Sequence, residues 1–415
     1  MRASHQEKFF PRRLQSGVSL IELMVALVIA SLLGIGLVQI FAGTRAAFNS
    51  NSALARAQEN SRFAVGFIES DLRMIGHLGL SNEQGYQAGN IFNHLSSDGR
   101  SNSVNTPFLY RMHLPVQGYG FTGTEVMGVE YEMPDAPAAG ASAAAWTPVI
   151  PSELALLSGS NKAVAGSDVL LLRFLSAESA SLQDITGDPT VASNVGLDGA
   201  ILWDNTQTGS GEFLKDGGVF ALTNYSLLSL FYVRPTSTGV ADASQGGINL
   251  VGWPAVAARF DEPDAYGQGS SLYRYEVSAY YVGLSETHDE PSLFRKRLDN
   301  EGNLGPAEEL VPGVDMMQVT YGVVDTATRS GDQPTRYLTA AGIEAGTWRP
   351  TAEQRWADVV AVRVGLLMRS NQPAGSAVEV NFVRTVGGME IMPPDDRRLR
   401  YVYETQVALR NRSRG

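Results

Sequence analysis

The feature that most constrains this chain is an uncharged apolar run from Leu23 to Gly43 (LMVALVIASLLGIGLVQIFAG), whose one strongly polar residue is Gln39. As a helix this run reaches about 31 Å, enough to cross the hydrocarbon core of a bilayer. Ahead of it, residues 1–17 carry Arg2, Lys8, Arg12 and Arg13 against the single acid Glu7. A basic flank beside an apolar run marks the side that stays cytoplasmic. An ordinary secretory signal would be cut behind a shorter apolar stretch, at a small-x-small site that Ala42-Gly43 only imitates. Neither that reading nor a plain signal anchor accounts for Glu22, because a carboxylate at the edge of a membrane helix is costly and marks function.

The segment Gln15-Ser16-Gly17-Val18-Ser19-Leu20-Ile21-Glu22-Leu23 resembles the class III prepilin signal: a glycine, a hydrophobic first mature residue, and Glu at mature position five. The resemblance implies cleavage by a prepilin peptidase after Gly17, on the cytoplasmic face, and N-methylation of the new amino terminus, Val18. It also implies that Glu22 serves as an assembly charge pair. An α-amine entering an apolar filament core needs a counter-charge, and a Glu one helical turn on can neutralise the amine of a neighbouring subunit. Val18 stands where the family more often has Phe.

Past Gly43 the pattern stays helical but becomes one-sided. Leu54, Ala57, Ser61, Val65, Ile68, Leu72 and Ile75 recur at steps of three and four. Phe63, Phe67 and Met74 are expected to widen this stripe, opposite Arg56, Glu59, Arg62, Glu69 and Arg73. No proline occurs between residues 12 and 106, so nothing forces a break, although Gly34, Gly36 and Gly43 can soften the helix. The run Gln58-Glu59-Asn60-Ser61-Arg62-Phe63-Ala64, continuing to Asp71-Leu72-Arg73-Met74-Ile75-Gly76, resembles the close of the first helix in the PilW family of minor pilins. Family members often carry Cys shortly after that glycine. Here His77-Leu78-Gly79-Leu80 follows and the chain has no Cys at all, which removes disulfides, thiolate metal sites and Cys nucleophiles together.

Residues 81–165 are rich in Gly, Ser, Asn and Ala, and read as loops and short strands with a surface linker at Ala136 to Ala145. Strands are expected at Asp168–Leu175, Val219–Leu222, Ser229–Val233, Tyr275–Gly283, Ser292–Leu298, Met317–Val324 and Val359–Met368. Turns are expected at 207–211 and 299–303, and an exposed loop at 235–249. In the tail, Leu399, Tyr401, Tyr403, Thr405, Val407 and Leu409 alternate with Arg400, Glu404, Gln406 and Arg410, a period of two with one face buried. The order SLFRKRL, ELVPGVDMMQVTYGV, VVAVRVGLLMRS and PPDDRRLRYVYETQVALRNR again resembles PilW-type proteins and, more loosely, the large pseudopilins of type II secretion.

Gly118-Tyr119-Gly120-Phe121-Thr122-Gly123 matches GxGxxG, but the following TEVMGVEYEMPDAP is too broken for the helix a dinucleotide site needs, so a turn is expected. The five histidines (His5, His77, His94, His113, His288) are scattered, with no HExxH and no GxSxG elsewhere. The acidic clusters 299–303 and 288–290 lack calcium-loop spacing and read as hairpin turns. Arg397, Arg398, Arg400, Arg410, Arg412 and Arg414 are expected to solvate an edge strand. With a formal net charge of −11, no nucleic-acid partner is expected.

The resemblance therefore implies an α+β, type IV pilin-like fold: a long N-terminal helix, hydrophobic then amphipathic, packed on an antiparallel β-rich C-terminal domain. Residues 1–17 would be the leader, 18–43 the transmembrane assembly helix, 44–77 its amphipathic continuation, and 78–415 the body, with loop insertions near 81–165 and 235–270. The implied role is a minor pilin of the inner membrane and then of the pilus, with prepilin peptidase, other minor and major pilins and a tip adhesin as partners. No catalytic residue, metal or cofactor is expected. A type II secretion pseudopilin is the alternative within the class; a membrane-anchored adhesin or DNA-binding module is the alternative outside it.

Overall fold

The computed structural model describes residues 17–80, 91–93, 95, 106–126, 128–193, 196–203, 217–233, 247–249, 266, 269–324, 333–373 and 382–409. One helix, α1 (Leu20–Met74), opens the chain over 55 residues. By contacts the chain forms two units, Met1–Ser52 and Ala53–Gly415, and α1 contributes to both.

In the first unit the apolar side chains of α1 face outward: Leu27 is 65% exposed, Leu37 68% and Phe41 71%. Water is a poor solvent for such a surface, and contiguous exposed apolar area of this kind marks a membrane or protein contact. The helix supplies its own backbone bonds, as a span in lipid requires. Two hydroxyls in this stretch do the same, Ser31 donating to Val28 O and Thr44 to Ile40 O, both at 2.8 Å.

In the second unit α1 buries Ala57, Ser61, Ala64, Val65, Ile68 and Leu72, the three-four spacing that the sequence carries. Phe63 and Phe67 do not widen that stripe; they are 57% and 38% exposed. Positions 63 and 67 lie on the flank of the stripe, and the core is already filled by Ala64 and Ile68 beside them. Gly76, at φ 77°, ends the helix in the left-handed conformation that costs glycine nothing.

The body is β-rich. Its strands run β1 (Ile91–Asn93), β2 (Val116–Phe121), β3 (Glu130–Glu132), β4 (Trp146–Thr147), β5 (Val169–Ser193) and β6 (Gly196–Trp203). Then come β7 (Gly218–Thr223), β8 (Leu228–Val233), β9 (Gly247–Asn249), β10 (Ser271–Leu284), β11 (Pro291–Arg297) and β12 (Glu308–Pro312). The last group is β13 (Val314–Val323), β14 (Arg336–Leu338), β15 (Val359–Pro373), β16 (Arg384–Val386), β17 (Met389–Met392) and β18 (Arg398–Ala408), with short helices α2 (Ala340–Glu344) and α3 (Ala352–Ala357) after β14.

The main sheet has the order β1-β8-β7-β10-β5-β2-β4, with β11 and β12 continuing from the far half of β10, and β6 and β9 from the outer half of β5. A second sheet, β14-β13-β15-β18, is antiparallel throughout, and a third is β16-β17-β3. The run from Val169 to Leu175 is apolar almost without break because both faces of β5 are covered. Leu170 and Leu172 enter one core; Val169, Leu171 and Leu175 enter another.

The first core unites the α1 stripe with Leu170, Leu172 and Tyr280 of the main sheet and Val319, Val362, Val364 and Leu366 of the second sheet. Each such fully buried aliphatic side chain contributes about 1.5–3 kcal/mol. Polar ties fix the helix at this seat. Tyr280 Oη donates to Asp71 Oδ2 at 2.7 Å, Asn60 Nδ2 to Pro312 O at 3.2 Å, and Thr405 Oγ1 to Glu69 Oε1 at 2.5 Å.

Several sequence expectations change here. Within residues 81–165 the expected linker at 136–145 lies at the surface, but described segments on either side of it are packed. Leu114, Val116, Tyr119, Trp146, Leu154 and Val164 are buried: Tyr119, Trp146 and Leu154 pack the outer face of the main sheet, and Leu114, Val116 and Val164 join the core that holds α1. Short strands separated by 3₁₀ turns leave too little periodicity to reveal that burial. Gly118 to Phe121 is strand β2 rather than a turn. Residues 247–249 of the expected loop form β9, and the expected turn at 207–211 lies outside the described residues. Arg400 is not a solvating residue but a buried one. Its Nε donates to Asp315 Oδ2 at 2.7 Å, and its two terminal nitrogens donate to Asp396, with the Arg400 and Asp315 side chains each 2% exposed. The alternation on β18 predicts which residues share a face; it does not reveal that the third sheet covers the other face.

Candidate functional site

The three residues singled out at the N-terminus lie together at the start of α1. Gly17, Val18 and Ser19 precede the helix, and Glu22 stands in its first turn. All are exposed. Ser19 is the residue that sequence reasoning passed over. Its hydroxyl accepts the Glu22 N–H at 3.3 Å, and the Glu22 carboxylate accepts the Ser19 N–H at 3.3 Å. This is a capping box, legible as the spacing S-x-x-E, and it satisfies two N–H groups that a helix start leaves free.

The box has two consequences for the chemistry of the site. It holds the carboxylate at the positive end of the helix dipole, where a negative charge is stabilised. It also fixes where the helix begins, so the Gly17–Val18 peptide bond stays outside the helix. Among the described residues, a Cβ added at Gly17 would meet nothing within 4 Å. The described residues therefore give position 17 no packing reason to be glycine.

Behind this site the helix holds a window of mean hydropathy 2.5 that is long enough to cross a membrane. Residues 12–38 match the prokaryotic N-terminal methylation motif, and residues 279–411 match the model of the Type IV Pilus-assembly protein W family, PilW. Over these two segments the chain is similar to PilW-type and prepilin-type proteins. No curated protein and no solved structure matches it.

The PilW match starts inside β10 and takes in every strand from β11 to β18. It thus covers the second and third sheets, apart from β3, and the hairpins that join them to the main sheet. The strands from β1 to β9 lie before it. Together the two matches mark a pilin-like protein related to type IV pili, and the apolar helix with its prepilin-like motif supports membrane anchoring.

The remaining sequence candidates have structural roles. Asp299 Oδ1 accepts the N–H groups of Glu301 and Asn303 at 3.0 and 2.8 Å, which makes 299–303 a side-chain-braced turn. His288 closes the turn between β10 and β11, its Nδ1 3.2 Å from Glu309. His77 Nδ1 lies 3.3 Å from Leu175 O, and His113 lies beside Glu353. Among the described residues no group of three His, Asp or Glu gathers in the manner of a metal site. Arg398 pairs with Asp396, as Arg400 does, while His5, His94, Arg410, Arg412 and Arg414 lie outside the described residues.

Proposed function

We propose that this PilW-like chain is a minor pilin: it is cut by prepilin peptidase after Gly17, N-methylated on Val18, and drawn into or used to prime a type IV pilus through α1. In this reading residues 1–17 are the leader, 18–43 span the inner membrane, and 44–77 join that span to the body formed by 78–415. The body stays on the periplasmic side until assembly carries it to the cell surface, where other minor and major pilins are its partners.

The observation that carries the proposal is the start of α1. An exposed, non-helical Gly17–Val18 bond, a capped Glu22 and an exposed apolar helix follow one another within the methylation-motif match. A glycine whose Cβ position is open among the described residues fits recognition by an outside agent, as a peptidase requires. The Glu22 carboxylate is held by one backbone N–H and is exposed, so it is free to exchange that partner for the α-amine of a neighbouring subunit.

Mass spectrometry of the mature N-terminus tests this. A chain beginning at methylated Val18 is expected. An intact leader, or a terminus beyond residue 43, would overturn the proposal. Deleting the gene and scoring twitching against exoprotein release separates the pilus from a secretion pseudopilus.

A further inference from the structure

The third sheet carries an acidic outer face. Met389 and Ile391 of β17 point inward and pack on Met316 and Leu367 of the second sheet. Side chains alternate across a strand, so Glu390 points outward. β3 runs parallel to β17 with Glu130 beside Glu390 and Glu132 beside Met392, which puts Glu130 and Glu132 on that same outer face. Both are exposed. Like charges side by side on neighbouring strands destabilise a sheet, and among the described residues none of these carboxylates pairs with a cation.

Because the two strands are parallel, they leave the sheet at one end. Their continuations bring Asp135 from one strand, and Asp395 and Asp396 from the other, to that end. A pocket opens there, walled by Met133, Pro134, Pro137, Pro291 and Pro394, with Asp135 and Asp396 at its rim and Asp315, Arg369 and Arg400 at its floor. Arg400 is saturated, its three nitrogens all bonded to Asp315 and Asp396. Arg369 is not. Its side chain is 9% exposed, its Nη2 reaches Glu290 Oε2 only at 3.5 Å, and its Nε, 3.4 Å from Asp315 Oδ1, makes no hydrogen bond. A buried guanidinium with unused donors calls for an acceptor.

These charges narrow what can bind. The guanidinium at the floor repels a cation there, and the acids of the rim and outer face repel an anion. Arg397 and Arg398 stand in the same turn, but Arg398 already pairs with Asp396. A neutral acceptor suits the floor, aliphatic stems suit the proline walls, and cationic heads suit the acids. An extended peptide with basic side chains on alternate residues carries all three. Its carbonyls are the acceptors, and its side-chain repeat is that of Glu130 and Glu132.

We propose that the outer face of the third sheet and the pocket at its end form a docking surface for a basic, extended segment of a partner protein. Its lysine or arginine heads lie over Glu130, Glu132, Glu390 and Asp135, and one of its carbonyls accepts from Arg369. The surface goes beyond the reading of the N-terminus and does not depend on it.

Fluorescence anisotropy on the full chain in detergent tests it, with a labelled peptide of alternating Lys and Ser, a Glu–Ser peptide of the same length, and spermine as a bare polycation. The Lys–Ser peptide is expected to bind and the Glu–Ser peptide not to bind. Glu130→Gln with Glu132→Gln is expected to weaken the Lys–Ser peptide several-fold while leaving the melting temperature level or higher, since it removes charges that repel. Glu178→Gln with Glu301→Gln makes the same change of net charge at exposed acids of other elements, and is expected to bind as wild type does. Asp135→Asn reads the pocket from its exposed rim and is expected to weaken the peptide. Arg369→Met is expected to weaken the peptide but not spermine, which has no carbonyl. A Lys–Ser peptide that does not bind overturns the proposal, as does an equal loss in the two double variants. Wild-type peptide binding in both Asp135→Asn and Arg369→Met removes the pocket from it.

Discussion

Ser19 and Glu22 hold each other across the first turn of α1, hydroxyl to N–H and carboxylate to N–H, each at 3.3 Å. The one acid beside the apolar span is thus already hydrogen-bonded within its own chain. Any role for it between subunits requires an exchange of partners. Capping and charge pairing are separable, because a glutamine at this position still caps but carries no charge.

Glu22→Gln is expected to leave helix content by circular dichroism unchanged and to abolish incorporation into filaments. Glu22→Ala is expected to lose both, and Ser19→Ala to weaken the helix start by about 0.5–2 kcal/mol while retaining incorporation. Filaments containing Glu22→Gln at the wild-type level would remove the charge pair from the proposal.

Gly17 gives a second separation, between fold and processing. Among the described residues no neighbour would touch a side chain there, so Gly17→Val is expected to leave the melting temperature of the full chain unchanged. The same variant is expected to keep its leader, seen as an intact mass in membranes that contain prepilin peptidase. Normal cleavage of Gly17→Val would show that the glycine is not what the peptidase reads.

The Asp315–Arg400 pair yields a stability prediction. Both side chains are 2% exposed; burial pushes the Asp315 carboxyl up, while Arg400 and then Arg369 pull it down, and burial wins. Removing Arg400 leaves buried Asp315 only the looser pair with Arg369 at 3.4 Å and takes a partner from Asp396, and breaking a buried pair in this way costs about 3–5 kcal/mol. Arg400→Met alone is therefore expected to lower the melting temperature steeply, and Arg400→Met with Asp315→Leu to recover much of the loss. Equal melting temperatures for the single and double variants would contradict this.

These residues also indicate how far the sequence could be read. The α1 stripe from Ala57 to Ile75 was legible because a helix has one period and one buried face. Strands β10, β11, β13 and β15 were legible as apolar runs and β18 by its period of two, whereas the short β12, β14, β16 and β17 were not read; the prepilin signal is contiguous. What escaped was set by the covering of a second face. Arg400 sits at a polar position of β18, and only the third sheet and the loop carrying Asp396 turn that position inward. Leu114, Trp146 and Leu154 escaped because their backbone forms short strands and 3₁₀ turns, which leave no repeat to count. Ser19 was legible as S-x-x-E.

Gly118 and Gly120 distinguish a strand from a phosphate-binding loop. Both lie on β2, but a Cβ on Gly118 would overlap the Tyr321 hydroxyl and ring, whereas a Cβ on Gly120 meets nothing nearer than Ala340 Cβ at 3.6 Å. Overpacking a filled core costs about 1–3 kcal/mol, while replacing glycine within a strand can recover about 0.5–1 kcal/mol. Gly118→Ala is accordingly expected to lower the melting temperature of the full chain, and Gly120→Ala to leave it level or raise it. In a glycine-rich phosphate loop the second glycine is the one that cannot be replaced, because the backbone there must approach the ligand. A destabilised Gly120→Ala with a tolerated Gly118→Ala would reverse the assignment of this segment.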